Sequence, residues 1–311
     1  MPTYRAQFTR FLLRHWLGRK YRKAGGSVRE LRKLDEVLAR VQKPPRGTQI
    51  SMVTLNGLPG EWIQGPGAGS DAVILQLHGG AFVTGSPATH RELAAHISSA
   101  AGLRVLSVDY RLAPEHPFPA AIEDTLSAYR WLLDQGYAPS RIVIGGESSG
   151  GGLALQALIS MKEEGLPLPR AAFFLSPVTD WAGLDGESYS TRAALDPLVT
   201  RPQCLFTASQ YVGDCPPETP LFRPAEMDLT GLPPMWIQVG DHEVLLSDAE
   251  RLAHGAAASG VEVDYRVWPG LWHVFQAAAR GVPEGRESVE ELGRFIREQL
   301  SVGAEGGPAV A

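Results

Sequence analysis

The chain has 311 residues, 44 % of them hydrophobic and 20 % charged, with a net charge of −5. That length suits one large α/β domain with insertions or two small domains, and the acid-leaning balance offers nucleic acid no partner surface. Two cysteines, Cys204 and Cys215, are too few for a disulfide framework and match no zinc spacing, so they read as free thiols in a reducing cytoplasm.

At the N-terminus, Arg5, Arg10, Arg14, Arg19, Lys20, Arg22 and Lys23 precede the first acid, Glu30. Phe11-Leu12-Leu13 is cut short by Arg14, so neither a signal peptide nor a membrane-spanning segment is expected. Tyr4, Phe8, Leu12 and Trp16 recur at helical spacing and predict a basic amphipathic helix. The expectation is a helix packed on the body, with membrane-surface attachment as the alternative. Gly25-Gly26 breaks the pattern. Ser27 and Glu30 then form a capping box for a helix through Leu31, Leu34, Leu38 and Val41, ended by Pro44-Pro45.

Beyond residue 47, strand-like and helical segments alternate. Strands are expected at Met52–Leu55, Glu61–Ile63, Val73–Leu77, Val105–Val108, Ile142–Ile144, Ala171–Leu175, Met235–Val239 and Val261–Trp268. Helices are expected at about His90–Ala101, Pro119–Gln135, Leu153–Lys162, Ser247–Ser259 and Glu287–Leu300. Uniformly apolar strands alternating with helices predict an α/β fold whose mostly parallel sheet is covered on both faces. The stretch from about Asp180 to Pro224 is long, polar and turn-rich, and reads as an insertion. The segment 301–311 reads as a disordered tail.

Two motifs carry chemistry. His78-Gly79-Gly80-Ala81 follows the apolar run Ala72–Leu77. Small residues there let a substrate approach the backbone N–H groups of Gly79, Gly80 and Ala81, which can hold an oxyanion. Gly146-Glu147-Ser148-Ser149-Gly150 lies between a strand and a helix, the context of a nucleophile elbow, with the Ser149 N–H completing the hole. A serine needs a general base, normally a histidine oriented by a carboxylate that lies between the two in the chain. Of the eight histidines, only His254 and His273 follow the acid candidates. His254 falls inside a helical stretch, whereas His273 sits in a glycine turn just past the last strand. Asp241, Glu243 and Asp248 all follow the strand Met235–Val239. Asp248 suits the start of the next helix and Asp241 could simply end the strand, so Glu243 is preferred while both alternatives stay open.

These residues resemble the hormone-sensitive-lipase-like esterases of the α/β-hydrolase superfamily. The passage Asp109-Tyr110-Arg111-Leu112-Ala113-Pro114-Glu115-His116-Pro117-Phe118-Pro119-Ala120-Ala121 is similar to the family's segment between oxyanion loop and nucleophile. Asp196-Pro197-Leu198 resembles its cap region, and Gly240-Asp241-His242-Glu243 its acid loop, where the acid stands three residues after the glycine. Two departures are Ala81, where a third glycine is usual, and Glu147 and Ser149, where the elbow usually carries Asp and Ala.

The resemblance implies an eight-stranded α/β-hydrolase core formed by residues 48–179 and 226–300. A helical cap would be built from residues 1–47 and 180–225. Tyr4, Phe8, Phe11, Trp16, Leu184, Tyr189 and Tyr211 are then candidates to line an acyl or alcohol pocket, as are Phe82, Trp181, Leu198, Phe206 and Trp272. The implied activity is hydrolysis of short- to medium-chain carboxylic esters by Ser148, His273 and Glu243, with a small-molecule substrate and no cofactor or metal. Homodimers occur among relatives. Membrane-associated lipid hydrolysis and a non-catalytic receptor, like the plant gibberellin receptors that lack the histidine, are the competing readings.

Overall fold

Eight strands run through the protein in the order β1-β2-β4-β3-β5-β6-β7-β8. They are β1 (Gln49–Leu55), β2 (Leu58–Gln64), β3 (Gly69–Leu77), β4 (Leu103–Val108), β5 (Ile142–Glu147), β6 (Ala171–Leu175), β7 (Met235–Gly240) and β8 (Val263–Trp268). The computed structural model describes residues 1–24 and 26–302. β1 and β2 form an antiparallel hairpin whose turn, Asn56-Gly57, puts both residues at positive φ, the conformation that matches strand twist. β2 pairs antiparallel with β4, and every pairing from β4 to β8 is parallel.

The helices are α1 (Tyr4–Leu12), α2 (Gly18–Ala24), α3 (Val28–Val41), α4 (Pro87–Ala101), α5 (Ala120–Asp134), α6 (Ser149–Glu163), α7 (Ser188–Thr191), α8 (Arg201–Val212), α9 (Leu246–Ala258) and α10 (Pro283–Val302). The uniform strands feed two cores at once. In β3, Val73, Leu75 and Leu77 face a cluster with α5, α6 and α9, while Ala72 and Ile74 face a second cluster with α4 and α10. That period of two is why the buried strands are apolar throughout.

Ahead of the sheet, α1 and α2 are joined by a π-helical turn, Leu13–Leu17. α1 through Ala6, and the π-turn through Leu13, dock on Leu271, Trp272 and Phe275. The apolar stripe expected to pack on the body faces solvent instead: Tyr4, Phe8, Leu12 and Trp16 are exposed, as is Phe11. Only half of the expected capping box forms, since Ser27 Oγ accepts the Glu30 N–H while the Glu30 carboxylate turns to Lys33. α3 is clamped to the loops after β3 and β4 by Arg32, which donates to the Val83 and Ala113 carbonyls. Within the polar insertion, α7 and α8 form helices that its turn-rich composition does not announce. The tail reading meets Ser301 and Val302 as the end of α10, and its remaining residues lie outside those described.

Candidate active site

Ser148 stands between β5 and α6 at φ 58°, ψ −125°, a conformation an L-residue holds only when its surroundings enforce it. The turn is tight because a Cβ on Gly146 or Gly150 would strike the Leu77 carbonyl. α6 begins at Ser149, four residues earlier than the apolar pattern suggests, so Gly150, Gly151 and Gly152 occupy its first turn. Three helical glycines cost ~1 kcal/mol each. Close approach to β3 and to Pro177, Val178 and Trp181 requires them.

His273 lies in the loop after β8, with Nε2 3.0 Å from Ser148 Oγ and Nδ1 2.8 Å from Glu243 Oε2. The other Glu243 oxygen accepts Ser176 Oγ–H at 2.8 Å and the Gly240 N–H at 2.6 Å. Ser176 Oγ in turn accepts the Val274 N–H at 3.1 Å, so one serine at the end of β6 braces both the acid and the histidine loop. Burial pulls the His273 imidazole down, but the hydrogen bond and charge of Glu243, with Asp196 and Glu147 adding, raise it above the ordinary histidine value. Asp196, the residue before Pro197, is buried. It accepts the Leu198, Val199 and Val244 N–H groups, holding the insertion against the acid loop.

The other acids do different work. Asp241 Oδ1 accepts the Gly270 N–H, fastening the acid loop to the histidine loop without touching His273. Asp248 accepts the Thr179 N–H at 2.8 Å, and burial pushes its carboxyl up to about 7. His254 is exposed on α9.

The loop after β3 is held from behind. Glu147 is buried; Oε1 accepts the Gly79 N–H at 2.9 Å and Oε2 accepts Gln76 Nε2–H at 3.1 Å. The Gly79 N–H is therefore committed to Glu147, a correction to its expected place among the oxyanion donors. Gly80, Ala81 and Ser149 N–H groups meet no protein acceptor among the described residues. Ala81 holds φ 53°, left-handed backbone that costs a residue with a Cβ ~1–2 kcal/mol. His78 stacks on Tyr110 at 4.2 Å, and the Tyr110 hydroxyl donates to the His78 carbonyl at 2.7 Å. Burial, with His90 nearby, pushes His78 down to about 3, so it is a neutral spacer.

Above Ser148 opens a cavity of 420 Å³. Gly80, Ala81, Ser148 and His273 form its floor. Leu13, Leu17 and Leu38 contribute from the N-terminal helices, and Trp181, Leu198 and Cys204 from the insertion, with Trp272 beside His273. Eight of the expected pocket aromatics lie elsewhere, Tyr189 and Tyr211 among them, both buried outside the lining. Phe82 is stacked on Tyr211 at 3.6 Å in the core, and Phe206 sits outside the lining. Tyr4, Phe8, Phe11 and Trp16 point away from it, as their exposure requires. The leucines of the N-terminal helices line the cavity because the opposite helix face is turned inward. Cys204 and Cys215 are free. No group of three metal-ligating side chains occurs among the described residues, and no helix there is long and apolar enough to cross a membrane.

Residues 74–277 match a family of the alpha/beta hydrolase fold. An acetyl-hydrolase of Streptomyces hygroscopicus is 42 % identical over 81 % of this chain and 84 % of its own length. An esterase of Acinetobacter venetianus is 34 % identical over 85 % of this chain and 87 % of its own. Among solved structures, an esterase from the bacterial hormone-sensitive lipase family superposes with a TM-score of 0.91 at 42 % identity, covering 96 % of this chain and 99 % of that one. With that agreement in sequence and in fold, the chain belongs to the hormone-sensitive-lipase-like esterase family of the α/β-hydrolase superfamily.

Proposed function

We propose that this protein hydrolyses carboxylic esters through a Ser148 acyl-enzyme. The observation that carries the reading is the unbroken hydrogen-bonded line from Glu243 through His273 to Ser148, beside three N–H groups with no protein acceptor. His273 takes the Ser148 proton as Oγ attacks the ester carbonyl carbon. The carbonyl oxygen becomes an oxyanion met by the Gly80, Ala81 and Ser149 N–H groups, each such donor worth ~3 kcal/mol at the transition state. Collapse expels the alcohol, which receives its proton from His273. Water then gives its proton to His273 and attacks the acyl carbon, releasing the acid and restoring Ser148. Glu243 keeps the imidazole in the tautomer that accepts at Nε2 and stabilises the imidazolium formed in each half-reaction.

Residues 1–47 and 180–225 act as a cap over the site. The confined volume and largely apolar lining of the cavity favour short- to medium-chain acyl groups over long ones. The free thiols suit the cytoplasm as the place of action. A series of p-nitrophenyl esters from acetate to palmitate, turned over by wild type and Ser148→Ala in parallel, tests the reading. Activity peaking at short chains and lost in the variant supports it. Activity surviving Ser148→Ala overturns the mechanism, and a wild type that cleaves no ester favours a receptor.

A further inference from the structure

Helix α1 turns an aromatic face outward although it is firmly held on the body. Thr3 Oγ1 and Glu284 Oε2 are hydrogen-bonded at 3.0 Å, Arg10 donates to the Gly270 carbonyl at 3.0 Å and Arg14 donates to the Ala194 carbonyl. With its inner side fixed through Ala6 and Leu13, the face bearing Tyr4, Phe8, Phe11 and Trp16 is left between 55 % and 89 % exposed. Such exposure is concentrated: ten of the fourteen exposed large apolar side chains among the described residues fall within residues 1–47 and 180–225. An apolar patch of this kind marks a surface that meets something.

The charge says what it meets. Arg5, Arg19, Lys20 and Lys23 of this segment are exposed, no acid precedes Glu30, and from Glu30 onward the chain carries 21 lysines and arginines against 34 acids. A basic, aromatic helix face on an otherwise acidic body complements an anionic lipid surface, where rings enter the headgroup boundary and cations meet phosphates. A second copy presenting the same helix would oppose cation to cation.

We propose that α1, the following π-turn and α2 dock this protein on anionic membrane surfaces, placing the cavity-lining Leu13 and Leu17 directly behind the lipid-facing side chains. Adsorption is read without turnover, so its failure is separate from failure of the ester-hydrolase reading. The experiment is co-sedimentation of the full chain with vesicles of phosphatidylcholine, alone or mixed with phosphatidylglycerol, at low and high salt. Two triple variants are compared, Phe8→Ser/Phe11→Ser/Trp16→Ser and Arg19→Gln/Lys20→Gln/Lys23→Gln. None of these six side chains lines the cavity, so both variants are expected to keep wild-type turnover of a soluble short ester.

Binding confined to the mixed vesicles and weakened by salt is expected. It should fall about fivefold for each cation removed and at least about tenfold in the aromatic variant. No binding to mixed vesicles, or equal binding to both kinds, overturns the proposal. So does a wild-type dimer that the aromatic variant converts to monomer without any change in vesicle binding, which would assign the face to a second copy.

Discussion

Glu147 Oε1 accepts the Gly79 N–H at 2.9 Å, so the residue before the nucleophile holds the loop that faces it. Strand β5 and the loop after β3 are thereby joined through one buried carboxylate, which also takes the Gln76 amide. Glu147→Ala strands both donors, at ~1–3 kcal/mol each, and lets the Gly80 and Ala81 N–H groups drift. Steady-state kinetics on a soluble ester should show kcat reduced about 10- to 100-fold with KM little changed. An unchanged kcat would mean the loop is held without Glu147.

Ser176 is a positioning residue. Its hydroxyl donates to Glu243 and accepts from Val274, the residue after His273. Ser176→Ala removes a hydrogen bond to a charged group, worth ~1.5–3 kcal/mol, and frees the histidine loop. The expected result is a fall in kcat of about tenfold or more without loss of fold, checked by kinetics beside circular dichroism.

His273 must be neutral to accept the Ser148 proton, so the rate falls as pH drops through its pKa. Burial alone would move that pKa down, and the bond to Glu243 outweighs it. The acid limb of kcat/KM should therefore lie above the ordinary histidine value of ~6.5. Glu243→Gln removes the raising charge: the limb should move down and the rate should fall at least about 100-fold.

Asp248 gives a stability prediction of definite sign. Its folded pKa, pushed up to about 7 by burial, exceeds the unfolded value of ~3.9. Between those values the folded state binds more protons, so this group's contribution falls as pH rises through the window. Asp248→Asn keeps an acceptor for the Thr179 N–H and removes the titration. Its melting temperature should decline less than that of wild type between about pH 5 and about pH 8.

The sheet is legible in the sequence because strands buried on both faces must be apolar throughout, as in Ala72–Leu77 and Ala171–Leu175. The neighbourhood of Ser148 and His273 is legible for a related reason: each stands in a turn at a strand's end, where chain order and glycine leave few alternatives. What the sequence hides is side-chain direction. Helical spacing marks the stripe of Tyr4, Phe8, Leu12 and Trp16, yet nothing in it says that small Ala6 and branched Leu13 take the inner side. Phe82 and Phe206 are aromatic whichever way they point. Ownership of a backbone donor is hidden too, since the Gly79 N–H is lost to a carboxylate 68 residues away. Ser176 carries no motif; only the packing of β6 beside β7 brings it to Glu243.

The most direct test of the central claim is labelling with diethyl p-nitrophenyl phosphate, which reacts with activated serines, followed by intact mass and peptide mapping. The account predicts one phosphoryl group per chain, on the peptide containing Ser148, with activity lost in proportion and no labelling of His273→Ala at the same rate. Labelling elsewhere, or full activity in a chain labelled at Ser148, would contradict it.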